Sequence, residues 1–259
     1  MLRNFYGLCG LPRAGNTIFA SLINQNPTVS ATANSPVCSM LTGAELLKET
    51  PTFKNYPDHK SLDSVTSNII PNYYSEWDKE IIIDRSLWGE PDSIHALKKF
   101  APNTVKIIVL VRDIKEIIAS FIKFSYTNDT NFIALSGNTK QKRCDYIMKN
   151  GGELHKWIKA VFNLVKNHSE SIHIIEYNDL ANNPKNTLDG VYDYLELDRF
   201  EHTFTDIPQL SNNGIEYDDS ILGGDLHKIN VFTVEKNNYD MNTYLPDDMS
   251  MYNMENFWK

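Results

Sequence analysis

A glycine-rich turn near the amino terminus carries the residue types that bind a phosphate or sulfate group. It spans residues 10–17 and reads GLPRAGNT. An apolar and aromatic run, Phe5–Cys9, precedes the turn, and apolar residues at helical spacing follow it from Ile18. In a turn between a strand and a helix, the backbone N–H groups and the helix dipole favour a bound anion. The sequence therefore predicts an anion site at this turn.

The spacing of the turn matches the nucleotide-binding motif G-x-x-x-x-G-K-[ST], except that Asn16 stands where the motif has lysine. The positive charge lies three residues earlier, on Arg13. A kinase or nucleoside triphosphatase is one alternative, with Asp84 as a metal-binding aspartate at the end of an apolar run, but the missing lysine counts against it. In a second alternative, Gly10 and Gly15 merely turn the chain.

Another group suited to an anion follows the apolar run Ile107–Val111. Arg112 ends this run, and Ser120 comes eight residues later within a predicted helix. A guanidinium offers a planar pair of donors to a phosphate, and a hydroxyl adds one more. The alternative is an ion pair between Arg112 and Asp113, with Ser120 facing solvent.

Strands and helices alternate in the hydrophobic pattern as far as residue 197, and residues 50–74 are predicted as loops with short helices. The alternation predicts an α/β fold, a parallel β-sheet flanked by helices, with ligands at the carboxyl ends of the strands. The predicted strands are Phe5–Cys9, Glu80–Asp84, Thr104–Val111 and Ser171–Tyr177, and the predicted helices begin near Ile18, at Pro91, near Ile114, near Trp157 and after an N-cap at Asn183.

Composition argues against several classes of protein. The chain has 259 residues and a formal net charge of -8, with no run approaching the roughly 20 apolar residues of a membrane-spanning helix. Residues 198–259 hold twelve carboxylates against four lysines and arginines, and no basic face suited to nucleic acid is evident. Three cysteines without a Cys/His cluster argue against a disulfide framework and a structural zinc. Since no secretory segment is visible, we expect a cytoplasmic protein.

The glycine-rich turn has a parallel in one enzyme family. Residues 11–17, followed by Leu22–Pro27, resemble the 5′-phosphosulfate loop of sulfotransferases that use 3′-phosphoadenosine 5′-phosphosulfate (PAPS), most nearly the tyrosylprotein, Golgi-type and bacterial enzymes. Ala14 and Asn16 depart from the family pattern Pro-(Lys/Arg)-Ser-Gly-Thr-Thr. The resemblance implies a P-loop NTPase-like sulfotransferase fold, PAPS as the cofactor, no metal, and transfer of a sulfuryl group to an acceptor hydroxyl.

Four further segments resemble the family in the same order along the chain. The spacing of Arg112 and Ser120 is that of the 3′-phosphate site, and Tyr177 lies in a segment like Tyr-Glu-Asp-Leu, whose tyrosine lines the adenine site. The strand end at Arg85 resembles Asp/Asn-Lys-x-Pro, whose cation faces the transferring sulfuryl group. Residues 223–229 resemble Ser-Leu-Ser-Lys-Ile, a stretch near the cofactor in the tyrosylprotein enzymes.

These resemblances imply roles for individual residues. Arg13 would neutralise charge on the bridging oxygen, Arg85 would stabilise the equatorial oxygens, and His227 would face the sulfuryl group as a base or donor. Within a single domain, 1–259, the acidic segment 198–259 is expected to pack over the cofactor with Lys228 near the 3′-phosphate; the alternative is an exposed loop. The predicted cofactor-binding residues are Arg13, Ala14, Gly15, Asn16, Thr17, Ile18, Arg112, Ser120, Tyr177 and Lys228.

The general base is an open question in this assignment. The family positions that carry Glu and His correspond to Asn34 and Leu87, and neither side chain takes up a proton. A catalytically inactive PAPS-binding homologue is therefore another alternative. The acceptor can be a small molecule or a peptide, with a tyrosyl, phenolic, alcohol or sugar hydroxyl. The remaining candidates for the base are Glu45, Glu90, His95 and His227, and imidazole is the side chain whose ordinary pKa lies nearest neutrality.

Overall fold

Five parallel strands form the central sheet of the computed structural model, which describes residues 2–234, 236, 238–249, 252 and 256–259. The strand order is β2-β3-β1-β4-β5. The strands are β1 (Asn4–Leu8), β2 (Val29–Ala31), β3 (Ile81–Arg85), β4 (Ile107–Val111) and β5 (Ile172–Glu176). Later in the chain, β6 (Ser211–Asn212) and β7 (Ile215–Glu216) form a separate antiparallel pair.

Helices connect successive strands of the large sheet and follow the last of them. The α-helices of the described residues are α1 (Asn16–Ile23), α2 (Val37–Leu46), α3 (Pro51–Asn55), α4 (His59–Ser67), α5 (Ile69–Tyr73), α6 (Pro91–Phe100), α7 (Ile114–Phe124), α8 (Lys140–Met148), α9 (Glu153–Asn167), α10 (Tyr177–Asn182), α11 (Pro184–Leu195) and α12 (Met241–Tyr244). Short 3-10 turns occur at 47–49, 134–136, 169–171 and 219–222.

The three middle strands are buried because their sequences are apolar on both faces. Every residue of β3 and β4 is buried, and so is Phe5–Leu8 of β1. A parallel strand covered by helices on both sides carries a continuous apolar run. Ile81–Ile83 and Ile107–Val111 are such runs. The polar residues that follow them therefore lie at the edge of the sheet.

The predicted α/β fold with a parallel sheet flanked by helices is confirmed. Strands β1, β3, β4 and β5 lie at the predicted runs, and α6 begins at Pro91. The sequence prediction lacks β2, a three-residue strand without an apolar run, and the helices α2 and α8. Asn183 occupies the N-cap of α11 as predicted, but its side chain makes no capping hydrogen bond.

The acidic segment after α11 contacts the carboxyl-terminal side of the large sheet. The Asn212 side chain donates to the carbonyl of Ala31 at 2.9 Å, and the Tyr217 hydroxyl accepts from the amide of Ala33 at 2.9 Å. Farther along, the Tyr239 hydroxyl donates to Ser120 Oγ at 3.1 Å. These bonds tie the segment to the residues that follow β2 and to α7.

Two expectations from composition can be compared with the structure. Among the described residues, no helix combines the length and apolar composition that crossing a bilayer requires. Cys9, Cys38 and Cys144 are buried free thiols, and burial raises the pKa of each to about 12. They are packing residues, as the sequence predicts.

A close contact between the β3–α6 turn and α9 generates a stability prediction. A Cβ at Gly89 would lie 2.2 Å from the carbonyl oxygen of Ala160, whereas a Cβ at Gly43, in α2, would meet nothing within 4 Å. We expect Gly89→Ala to lower the free energy of unfolding by about 1–3 kcal/mol through overpacking. Gly43→Ala, the matched control, should raise it by about 0.5–1 kcal/mol because glycine disfavours a helix interior. Urea denaturation measures the free energy of unfolding of both variants. If Gly89→Ala is as stable as wild type, α9 moves to make room for the added methyl group and the prediction is wrong.

Candidate functional site

One cavity of about 420 Å³ lies at the carboxyl-terminal edge of the large sheet, and every strand contributes to its wall. Asn34 comes shortly after β2, Arg85 ends β3, Arg112 follows β4 and Tyr177 follows β5. The loop after β1 supplies residues 12, 13 and 15–18. After β1 the chain forms β2 and β3 on one side of β1, and then β4 and β5 on its other side. Ligands bind at such a reversal of strand order in α/β sheets.

Most residues predicted for the site meet at this cavity. Ala14 is the exception: it is buried behind the loop, and its amide donates to the carbonyl of Leu11 at 3.2 Å. The predicted residues that line the cavity are Arg13, Gly15, Asn16, Thr17, Ile18, Arg85, Arg112, Ser120, Tyr177, His227 and Lys228.

The loop after β1 is held by backbone pairing with β4 that continues beyond the strand. The amides of Cys9 and Leu11 donate to the carbonyls of Ile108 and Leu110. Gly15, the N-cap of α1, has φ of 89°, a left-handed conformation that favours glycine. The loop therefore ends on the first turn of a helix, where free amides can meet an anion.

Asn16 ties this loop together. Its side-chain Nδ2 donates to the carbonyl of Leu11 at 2.7 Å, and the residue is buried. A lysine at this position in a nucleotide-binding loop reaches the phosphates instead. The positive charge of the loop comes from Arg13, whose φ of 61° is also left-handed.

Arg13 reaches across the cavity to two other elements. Its Nε donates to Ser120 Oγ at 3.0 Å, and its Nη1 donates to the carbonyl of Leu226 at 3.2 Å. Burial lowers the pKa of Arg13, and the nearby charge of Arg112 acts in the same direction. Arg13 therefore connects the β1 loop, α7 and the acidic segment.

Arg112 is buried beside the same loop. Its Nη1 donates to the carbonyl of Arg13 at 3.0 Å, its Nε donates to Glu116 Oε2 at 2.9 Å, and its guanidinium lies 4.0 Å from the centre of the Tyr177 ring. Asp113 instead caps α7 by accepting from two backbone amides. The alternative of an Arg112–Asp113 pair with a solvent-exposed serine is therefore wrong, since Ser120 is also buried.

Arg85 is a buried cation without an ion-pair partner among the described residues. It is 9% exposed, and its guanidinium donates to the carbonyls of Ala33 at 2.9 Å and Gly10 at 3.3 Å while lying 4.2 Å from the centre of the Trp157 ring. Its Nε has no hydrogen-bond partner within the described chain. Burial lowers the pKa of Arg85 to about 10, so the group remains charged at neutral pH. Such a charge is costly to bury and favours an anion in the cavity.

Of the four candidate bases, His227 lines the cavity and Glu45, Glu90 and His95 do not. Asn34, which takes the family's Glu position, is on the wall, whereas Leu87 is not. Lys228 lies at the rim, with a side chain 72% exposed and 3.6 Å from Asp225.

Comparisons with known proteins identify the family and the fold. The family model described as the sulfotransferase domain matches residues 8–212. The chain belongs to the sulfotransferase family. Its fold is accordingly the P-loop-like α/β fold of sulfotransferases, and it is a transferase whose chemistry is sulfuryl transfer. Among curated protein sequences, none matches the chain.

Solved sulfotransferase structures share the fold at low identity. The sulfotransferase domain from the curacin biosynthetic pathway is 16% identical, with a TM-score of 0.50 over 78% of this chain and 76% of that one. The sulfotransferase domain of the Synechococcus PCC 7002 olefin synthase is 15% identical, with a TM-score of 0.50 over 77% of this chain and 75% of that one.

Several residues on or beside the sulfotransferase cavity have no counterpart in the sequence prediction. The i,i+4 spacing of Glu116 from Arg112 is the signal that would have found that pair. Asp219, which bonds His227, and Tyr239, which bonds Ser120, lie in a segment without periodicity and carry no such signal. Glu153, on the cavity wall, bonds the Trp157 indole at 3.2 Å and begins α9, so it looks like an ordinary first-turn carboxylate in the sequence.

The Arg112–Glu116 pair generates a pH prediction. Burial acts to raise the pKa of Glu116, but hydrogen bonds from Arg112 and Lys236 outweigh it and the pKa is lowered. A lowered carboxyl pKa means that the pair stabilises the fold at neutral pH and that this stabilisation is lost as the pH falls through the lowered pKa. We expect Glu116→Gln to cost about 1 kcal/mol of unfolding free energy at pH 7 and less on acidification.

Urea denaturation of wild type and variant across the acidic range measures this difference. Glu49→Gln, which removes an exposed partner of Lys54, is the control and should change nothing measurable. A Glu116→Gln difference that stays constant with pH would contradict the assignment.

Proposed function

We propose that this sulfotransferase uses PAPS as its donor and transfers the sulfuryl group to a hydroxyl of a small molecule or peptide. The observation that carries the proposal is the buried guanidinium of Arg85, which has no ion-pair partner in the described part of the chain and lies in the same cavity as Arg13 and Arg112. Three cations and a helix N-terminus suit a ligand with several negative charges. The cavity volume, about 420 Å³, lies in the range of small-molecule sites.

The wall residues fit the two charged ends of such a nucleotide. The amides of Gly15, Asn16 and Thr17, with the Thr17 hydroxyl, would hold the 5′-phosphosulfate at the start of α1. Arg112 and Ser120 would hold the 3′-phosphate. The adenine would lie against Tyr177, whose ring already borders Arg112 and Gly15.

When bound, PAPS supplies the sulfuryl group. Arg13 would neutralise the charge that develops on the bridging oxygen, and Arg85 would stabilise the equatorial oxygens of the group in transit. Both are preorganised donors, held by carbonyls and by Ser120 before any ligand arrives. Electrostatic stabilisation by such donors is a large contribution to catalysis of group transfer.

We further propose that the acidic segment 198–259 covers the nucleotide as part of a single domain, 1–259. Leu226 accepts a hydrogen bond from Arg13, and Tyr239 donates one to Ser120. Lys228 would approach the 3′-phosphate from the rim. The segment thus supplies a wall that the sheet lacks and excludes water from the reacting group.

The kinase alternative has less support. Asp84 is fully buried outside the cavity wall, and its carboxylate accepts from the side chains of Ser35, Tyr74 and Trp88. Burial raises its pKa. A carboxylate enclosed in this way is unsuited to holding a metal ion for ATP. The alternative of an inactive PAPS-binding homologue makes a different prediction, that the nucleotide binds and no transfer occurs.

A ligand-binding experiment separates these alternatives. Adenosine 3′,5′-bisphosphate should raise the melting temperature of wild type more than ATP with Mg²⁺ does. Arg112→Ala should weaken bisphosphate binding at least about tenfold, the equivalent of one charge-assisted pair, and should leave adenosine 5′-phosphate binding unchanged. Arg199→Ala, an exposed arginine paired with Asp193, is the control.

Each outcome has a distinct meaning. Stabilisation by ATP with Mg²⁺ alone would overturn the proposal. Bisphosphate binding without transfer from PAPS to any of a panel of phenols, alcohols, sugars and tyrosyl peptides would favour the inactive homologue. Loss of adenosine 5′-phosphate binding in Arg112→Ala would reassign that residue.

Arg13 should act on turnover more than on binding, because the charge it meets develops only as the bond breaks. We expect Arg13→Gln to lower kcat about 100-fold or more while the dissociation constant of adenosine 3′,5′-bisphosphate changes little. Steady-state kinetics and calorimetry measure the two quantities. A defect confined to the KM of the donor would instead identify Arg13 as a ground-state anchor.

A further inference from the structure

We propose that Asp219 and His227 form a dyad in which His227 is the general base for the acceptor hydroxyl and Asp219 is its positioning residue. The inference rests on the proposed function, since it names the group that takes the proton in that reaction. It goes beyond the sequence prediction, in which His227 faces the sulfuryl group as a base or donor and Asp219 has no role.

Asp219 holds His227 at two points. One carboxylate oxygen lies 2.6 Å from Nδ1 of the imidazole, and the other accepts from the backbone amide of His227 at 2.7 Å. Both side chains are largely buried. A carboxylate can only accept, so Nδ1 carries a proton, and in the neutral imidazole Nε2 carries the lone pair. Within the described chain Nε2 has no hydrogen-bond partner, and His227 lines the cavity.

The loop around the dyad keeps the ring in place. The imidazole stacks on Tyr217, with ring centres 4.7 Å apart and planes inclined by 25°. The Tyr217 hydroxyl is itself fixed, donating to Asn212 and accepting from the amide of Ala33. The carbonyl of His227 accepts from the side chain of Gln209 at 2.8 Å. A histidine that served only as a surface residue would not need this support.

The charged surroundings of the ring are mixed. Asp219 and Tyr217 contact it directly, and burial raises the pKa of Tyr217 to about 12, so that phenol is neutral. Lys228 is the next residue, and Asp225 pairs with it. From the other elements, Arg13 reaches the carbonyl of Leu226, and Arg85 and Glu153 lie on the same cavity wall. Asp219 is the acidic group bonded to the imidazole, so it is the group that orients the ring.

The proton balance of the step is simple. As the acceptor oxygen forms its bond to sulfur, its proton passes to His227 Nε2, and the bond between sulfur and the bridging oxygen breaks. The electron pair of that bond leaves on the bridging oxygen beside Arg13. The positive charge on the imidazole is then shared with the Asp219 carboxylate, and the proton later returns to solvent.

The test is Asp219→Asn, which nearly preserves shape. An asparagine can still accept from the His227 amide through its oxygen, but its NH₂ group then faces Nδ1 and forces the proton to Nε2, where it blocks the base. We expect kcat to fall at least about tenfold with the KM of the donor within about threefold. The pH profile of kcat should change as well, because a neutral amide replaces the carboxylate bonded to the ring. His227→Gln should lower kcat about 100-fold or more.

A measurement without turnover accompanies the kinetics. Long-range ¹H–¹⁵N correlation spectra of the wild-type protein, with His227 assigned by its loss in His227→Gln, report which ring nitrogen carries the proton. We expect the Nδ1–H form in wild type and the Nε2–H form in Asp219→Asn. Asp218→Asn makes the same charge change one residue away, at an exposed side chain that caps Ser220, and should leave the rate, pH profile and tautomer unchanged.

The outcomes distinguish the inference from the function on which it rests. If wild type binds no adenosine 3′,5′-bisphosphate and transfers nothing from PAPS, the proposed function fails. If wild type transfers the group and Asp219→Asn keeps its rate and pH profile, the dyad alone fails. An Nε2–H tautomer in wild type would overturn the dyad. This measurement does not depend on the variants, so it tests the dyad even when a variant fails to fold.

Discussion

The burial of three arginine charges at one edge of the sheet is the constraint on which this structure depends. Arg13, Arg85 and Arg112 border a single cavity, and like charges in such a place repel one another and lose hydration. The fold compensates with hydrogen-bond acceptors, most of which are backbone carbonyls in loops. The acceptors are the carbonyls of Gly10, Arg13, Ala33 and Leu226 and the carboxylate of Glu116. The position of each charge therefore depends on the backbone of a neighbouring element.

This interdependence explains how the loop after β1 is held without the lysine of a nucleotide-binding motif. Asn16 bonds the loop to itself, while Arg13 extends sideways to α7 and to the acidic segment. Arg112 then bonds the carbonyl of Arg13. The positive charges come from the loop after β1, the end of β3 and the residue after β4. The backbone amides of the loop are therefore left to meet an anion. Such an arrangement suits sulfuryl transfer, in which the group in transit carries less charge than a phosphoryl group.

The acidic segment completes the site from outside the sheet. Its net negative charge would disfavour an anionic nucleotide if the carboxylates faced the cavity. Instead Asp219 bonds His227 and Asp225 pairs with Lys228, and the other described residues of this segment that line the cavity are uncharged. Composition alone therefore misrepresents the local electrostatics of this segment.

The sequence by itself determined the strands β1, β3, β4 and β5 of the sheet and most of the residues of the site. Continuous apolar runs such as Ile107–Val111 indicate buried parallel strands, because a strand covered by helices on both faces carries such a run. Since the carboxyl ends of parallel strands share one edge, the turn at residues 10–17 and Arg112 are expected to meet there, and the resemblance to sulfotransferases adds Arg85 and Tyr177. Local spacing carries this information, and it needs no knowledge of how the helices pack.

The tertiary structure alone decided the pairings. That Arg13 bonds Ser120 and the carbonyl of Leu226, that Ala14 faces away from the cavity, and that His227 rather than Glu45, Glu90 or His95 reaches it follow from packing between elements distant in sequence. Asp219 and His227 lie in a segment without periodicity, where the hydrogen-bond partners of irregular backbone are set by contacts with β2 and α7. Side-chain direction in such a segment has no signal in the sequence, because it depends on three-dimensional contacts and not on a repeating local geometry.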